Sequence, residues 1–137
     1  MKIVLDTNVL VSGLMRPFGS PGQIVRMVSS GELQLCYDPR IIEEYREVLF
    51  RPEFGIRTED AEVLLHQILA EGHSVVGWPF AMKWLDADDA MFFEVALAAG
   101  VSYLITGNLR HFPRSGVRGI KIVNPADFLR AYRRGGF

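Results

Sequence analysis

Acids able to act together occur at three places in this chain, and an asparagine stands at a fourth. Asp6 follows the apolar run KIVL, and Glu43 and Glu44 lie inside RIIEEYREVLF. Asp86, Asp88 and Asp89 crowd ahead of AMFFEVALAAG, and Asn108 follows VSYLIT. A carboxylate at the end of a buried strand is costly unless it is paired, hydrogen-bonded or metal-bound. Several carboxylates in one crevice repel each other. Hard divalent cations such as Mg²⁺ or Mn²⁺ relieve that repulsion because they prefer oxygen ligands. Histidine and cysteine are absent from these positions, which argues against zinc.

The elements that must position these residues follow from the pattern of apolar runs. KIVL, LQLCY, HSVVGW, VSYLIT and IKIV read as strands. Helical segments stand between them: VLVSGL, QIVRMVSSG, RIIEEYREVLF, TEDAEVLLHQILAEG, AMFFEVALAAG and NPADFLRAYRR. RPFGSPG and RPEFG are breaks. Asp38-Pro39 and Asn124-Pro125 each pair a capping residue with a proline suited to the first helical position. Thr58 and the acids after it suit another helix start. Alternating strands and helices predict an α/β fold, a mostly parallel sheet covered on both faces. In such sheets, sites form at the carboxyl ends of strands. Asp6 sits there.

Helical spacing sorts the acids. Glu44 lies beside the apolar face of Ile41, Tyr45 and Val48, whereas Glu43 and Glu47 point outward toward Arg40 and Arg46. Asp89 opens the helix ahead of Phe92, Phe93 and Ala96, with Asp86 and Asp88 as caps or turn formers. Each acid also has a plain structural reading. Asp6 can cap the next helix, Glu44 can be a surface glutamate, and the three aspartates can simply solubilise a helix start.

The 137 residues fit a single domain, 1–137, and 49% hydrophobic content excludes a disordered chain. The lone Cys36 excludes an internal disulfide. No apolar run approaches a bilayer span, and the start lacks the regions of a signal peptide, so the expectation is a cytoplasmic protein with no membrane partner. Net charge is −1, but it is unevenly spread. From Asp38 to Glu71 nine acids face four arginines; from Gly107 onward seven basic residues face Asp127 alone. A basic flank beside an acidic pocket suits a phosphate backbone near a metal, and equally a solvated surface.

Four ordered stretches resemble the PIN-domain family, and within it the VapC-like ribonuclease toxins of toxin–antitoxin pairs. IVLDTNVLVSGL is similar to the family's opening strand and acid, and PRIIEEYREVLFRPEF to its second motif. DADDAMFFEVALAAGVSYLITGN resembles its third and fourth motifs, and LRHFP with IKIVNPADFL its closing strand and helix. The resemblance implies a PIN-like three-layer α/β/α fold and Mg²⁺- or Mn²⁺-dependent hydrolysis of RNA. It implies Asp6, Glu44 and Asp89 as metal-binding acids and Thr106 as a residue positioning a carboxylate or water. Asn108 falls where many members carry Asp, so it stands as a weaker metal ligand. An antitoxin partner and a homodimer are implied as well.

A bound cation would turn a coordinated water into a nucleophile and neutralise charge on the phosphate. Arg110, Arg114 or Arg118 can clamp the RNA backbone. His111 can serve as an acid near neutral pH or stand as a surface histidine. Met15, Phe18, Met27 and Phe54 offer either an apolar docking surface or core packing. The competing reading keeps the fold and drops the cleavage: a module with a weakened metal site that binds RNA or a protein partner. A phospho-acceptor domain fits less well, because Asp6 has no acidic neighbour.

Overall fold

The computed structural model describes residues 1–77, 87–112 and 118–135. Among these residues, five strands form one sheet: β1 (Lys2–Leu5), β2 (Gln34–Tyr37), β3 (His73–Ser74), β4 (Tyr103–Ile105) and β5 (Lys121–Val123). Their order is β3-β2-β1-β4-β5, and every pair is parallel. The α/β expectation holds, and the sheet is wholly parallel rather than mostly so. Strand β1 is central, and Ile3, Val4 and Leu5 are fully buried. The chain leaves β1 toward β2 and β3, then returns to build β4 and β5 on the other side. That reversal opens a crevice beyond the carboxyl ends of β1 and β4, the place where α/β sheets bind ligands.

Among the described residues, six helices surround the sheet: α1 (Thr7–Met15), α2 (Ser20–Ser29), α3 (Pro39–Leu49), α4 (Thr58–Glu71), α5 (Ala87–Ala99) and α6 (Pro125–Arg133). Helix α5 packs on β1, β2 and β4, while α3 and α4 pack on β2 and α6 on β4. The two Pro-led starts behave as expected. Asp38 Oδ1 accepts from the Ile41 amide at 3.1 Å, and Asn124 Oδ1 from the Asp127 amide at 2.7 Å. Each satisfies an amide that the first helical turn would leave orphaned.

Two local expectations need correction. Helix α2 starts at Ser20, inside the stretch read as a loop, because Pro21 sits in its first turn, where a missing amide costs nothing. Gly22 permits this: a Cβ there would overlap the Pro17 carbonyl. Helix α4 starts at Thr58, as expected, with Arg57 at its cap position. The third strand is only His73–Ser74, pairing with Cys36 and Tyr37, because β2 ends there and the chain turns into α3 at Asp38. Cys36 is buried, and its thiol is pushed up to about 11 by that burial, so it is an inert core residue.

The start of α3 is tied to α5 through Arg40. Its guanidinium meets Asp38 at 2.7 Å and Glu94 at 2.7 Å, and both carboxylates are more than nine-tenths buried. The expected pairing of Glu43 and Glu47 with Arg40 and Arg46 is not what forms. Arg40 lies at the helix start, where the two buried carboxylates outcompete an exposed neighbour one turn away. Arg40→Ala is expected to lower stability by about 1–3 kcal/mol, the cost of stripping partners from buried polar groups. The figure stays below that for a fully buried pair because the Arg40 side chain is 46% exposed. Chemical denaturation of the variant measures it.

Candidate active site

Two strand ends and three helices deliver the site. Asp6 follows β1 directly and takes the cap position of α1, but its side chain makes no capping bond. It turns instead across the sheet. Asp6 Oδ2 accepts from the Thr106 hydroxyl at 2.7 Å, just past β4. The Asp6 amide bonds the Ile105 carbonyl at 2.9 Å, which fixes the two strand tips side by side. Thr106 is fully buried and also accepts from the Asn108 amide at 2.9 Å. Asn8 donates to Asp6 Oδ2 at 3.3 Å and accepts from the Gly107 amide at 3.0 Å. Asp6 is thus the hub of a network joining the β1 and β4 tips.

Glu44 reaches the same crevice from α3. The buried Tyr45 donates its hydroxyl to the Leu5 carbonyl at 2.5 Å and pins that helix to the end of β1. Glu44, one residue earlier, accepts a short hydrogen bond from the Thr7 hydroxyl. Helix α5 brings Asp88 and Asp89 in its first turn. His111 Nδ1 approaches Asp89 Oδ2 to 3.4 Å from the short 3-10 turn Leu109–His111. Asp6, Thr7, Asn8, Glu44, Asp88, Asp89 and His111 line one cleft of about 540 Å³, together with Ser12, Glu47, Arg51, Phe54 and Asn108.

The carboxylates pay an electrostatic penalty for this proximity. Burial pushes Asp6 above its ordinary value of 3.8, and the Asp89 charge adds to the rise; the Thr106 hydroxyl, the Thr7 amide and His111 oppose it. Glu44 is likewise raised, first by burial and then by the charges of Asp6, Asp88 and Glu47, against the Thr7 hydroxyl. Asp6 and Glu44 are thus each raised by burial and by at least one neighbouring carboxylate.

The structure brings Asp6, Glu44, Asp89, Thr106 and Asn108 to one end of the sheet. Asp88, expected only to cap, also lines the cleft. Asp86 and Arg114 lie outside the described residues. Arg110 and Arg118 are exposed and do not line the cleft. Part of the basic C-terminal flank is engaged elsewhere: Lys121 lies 5.6 Å from the centre of the Tyr103 ring, Arg130 pairs with Asp127, and Arg133 bonds Gln23 at 3.0 Å. Glu47, expected to point outward, lines the cleft and pairs with Arg51 at 2.7 Å. Sequence reasoning missed Thr7, Asn8 and Arg51. Thr7 and Asn8 stand directly after Asp6, and a polar pair opening a buried helix was a usable signal. Arg51 lies in a break after α3, where helical spacing gives no direction. Met27 is buried in the core, whereas Met15 is half-exposed and Phe18 almost wholly so.

A comparison with family models matches residues 2–110 to the PIN domain. The chain belongs to the PIN-domain family. No curated protein compared with it matches. The matched span contains every residue of the cleft, from Asp6 to Asn108, except His111. PIN domains are associated with nuclease activity and typically use divalent metals. The donor set of this PIN domain suits such a cation, because its acids are all hard oxygen donors and two of them are held above their ordinary pKa by burial and mutual repulsion. Among the described residues, no three of them stand as a ready ligand cluster. No helix among the described residues is long and apolar enough to cross a membrane.

Proposed function

We propose that this PIN domain is a Mg²⁺- or Mn²⁺-dependent endoribonuclease, and that it is the toxin of a type II toxin–antitoxin pair. The observation that carries the nuclease reading is the convergence of Asp6, Glu44, Asp88 and Asp89 on one cleft at the crossing point of the sheet. The toxin assignment rests on the likeness of its four motifs to the VapC-like group, which also motivates an antitoxin and a second copy of the chain as partners.

Asp6, Glu44 and Asp89 would hold the metal, and Asn108 would add a neutral oxygen at its edge. When bound, the metal activates water and screens the phosphate charge. The protein's own part is orientation. Thr106 and Asn8 fix the Asp6 carboxylate, Thr7 fixes Glu44, and Phe92 lines the cleft beside them. His111, held at Asp89, stands where it can hydrogen-bond a phosphate oxygen or a leaving group.

A second reading is a module that binds RNA without cutting it, and Asn108 favours it: an amide in place of a carboxylate lowers the charge that holds a second cation. Cleavage of a mixed pool of structured RNAs decides, run with Mg²⁺, with Mn²⁺ and with EDTA, beside Asp89→Asn. Metal-dependent cutting that is lost in the variant supports the nuclease. RNA binding with no cutting under any condition supports the module.

A further inference from the structure

We propose that Arg51 is the phosphate-gripping cation of this cleft, and that Glu47 holds it in readiness until RNA arrives. The inference rests on the nuclease reading and deepens it. Among the described residues, Arg51 is the only arginine or lysine lining the cleft; the other charged residues there are five carboxylates and His111. A polyanion entering so acidic a space needs a cation that reaches it there. The arginines of the C-terminal flank that the structure describes do not line it.

The backbone of Arg51 is well defined for such a task. Its amide caps α3 through the Val48 carbonyl at 3.1 Å. Pro52 follows and starts a 3-10 turn, Pro52–Phe54, which Gly55 closes in a left-handed conformation with φ 63°. The side chain therefore leaves a rigid corner, with its guanidinium on Glu47 at 2.7 Å. Both partners are substantially exposed, the arginine 43% and the glutamate 65%. An exposed ion pair of this kind contributes little to stability. It is a weak latch, and a phosphate, which guanidinium groups grip through two parallel hydrogen bonds, can replace the carboxylate. Glu47 keeps the guanidinium from collapsing onto Glu44, Asp6 or Asp89 while no substrate is bound.

The test measures binding of short fluorescent single-stranded RNA by fluorescence anisotropy across a salt series, in Mg²⁺. Asp89→Asn serves as a non-cutting background. Arg51→Ala is expected to weaken binding about tenfold, the worth of one charge-assisted contact. It should also reduce the slope of log affinity against log salt by roughly 0.7, one phosphate contact on a single strand. Arg51→Lys should keep the slope and recover part of the affinity. Glu47→Gln should tighten binding, and most of that gain should be lost when it is combined with Arg51→Ala, because it acts chiefly by freeing the arginine. Melting temperatures should be nearly unchanged throughout. Wild-type affinity and slope in Arg51→Ala would overturn the inference and leave the nuclease reading standing. So would a Glu47→Gln gain that persists undiminished without Arg51. A parent protein that neither binds nor cuts RNA would remove both.

Discussion

Asp6→Asn is expected to lower RNA cleavage by about 10²-fold or more while making the metal-free protein more stable near neutral pH. The first effect follows from the loss of a ligand whose metal contributes several kcal/mol at the transition state, each 1.4 kcal/mol being roughly tenfold in rate. The second follows from the direction of the Asp6 shift. Burial and the Asp89 charge raise its pKa above 3.8, and burial with the Asp6 and Asp88 charges raises Glu44 above 4.5. Below those ordinary values both groups are protonated, folded or unfolded, and neither opposes folding. As pH rises through the folded values, the unfolded chain releases its protons more readily than the folded one, and stability is lost. The metal-free parent should therefore melt lower near neutrality than in mild acid, as far as these two groups decide it. Asparagine at position 6 removes the buried charge and also relieves Glu44. Thermal melts of parent and variant across that pH range, with and without Mg²⁺, check this. Added Mg²⁺ should raise the parent's melting temperature at neutral pH and leave the variant nearly unmoved. A variant that melts lower than the parent in EDTA at neutral pH would mean that the Asp6 carboxylate stabilises the fold through Thr106 and Asn8 more than its burial costs.

The elements were legible where one local rule dominated. Asp38-Pro39 and Asn124-Pro125 marked helix starts because capping and proline geometry act within three residues. The strands β1, β2 and β4 were legible because a buried central strand must be continuously apolar, as Ile3 to Leu5 are. The strand order was not, since it depends on which crossover the helices permit. Asp6 stood out because an acid there contradicts the burial of its neighbours. What it contacts, Thr106, lies a hundred residues away, so no spacing rule could find that bond. Arg40 and Glu47 were misassigned for a related reason. Helical periodicity says which face a residue occupies, not which of several charges nearby is buried deeply enough to hold it. His111 and Arg51 sit in short breaks, where direction is set by tertiary contacts alone.

The bond between Thr106 and Asp6 sets the last expected result. Thr106→Val preserves shape and removes the hydroxyl that donates to Asp6 Oδ2 and accepts from the Asn108 amide. Two losses follow. Asp6 loses the strongest contact favouring its charged form, so its pKa rises further and it binds a cation less well. The turn carrying Asn108 loses its side-chain anchor at β4. Residues that orient a ligand in this way typically contribute 10–100-fold to metal affinity or activity, and about that loss is expected here. Stability should fall by about 1–3 kcal/mol, because a fully buried position loses both hydrogen bonds. Thr106→Ser keeps the hydroxyl and should retain most of the metal affinity, with a smaller stability loss from the missing methyl. Calorimetric titration of Mn²⁺ into the three proteins separates the roles. If Thr106 positions the acid, valine weakens binding and serine does not. If it only fills space, serine, which lacks the methyl, would be the worse of the two.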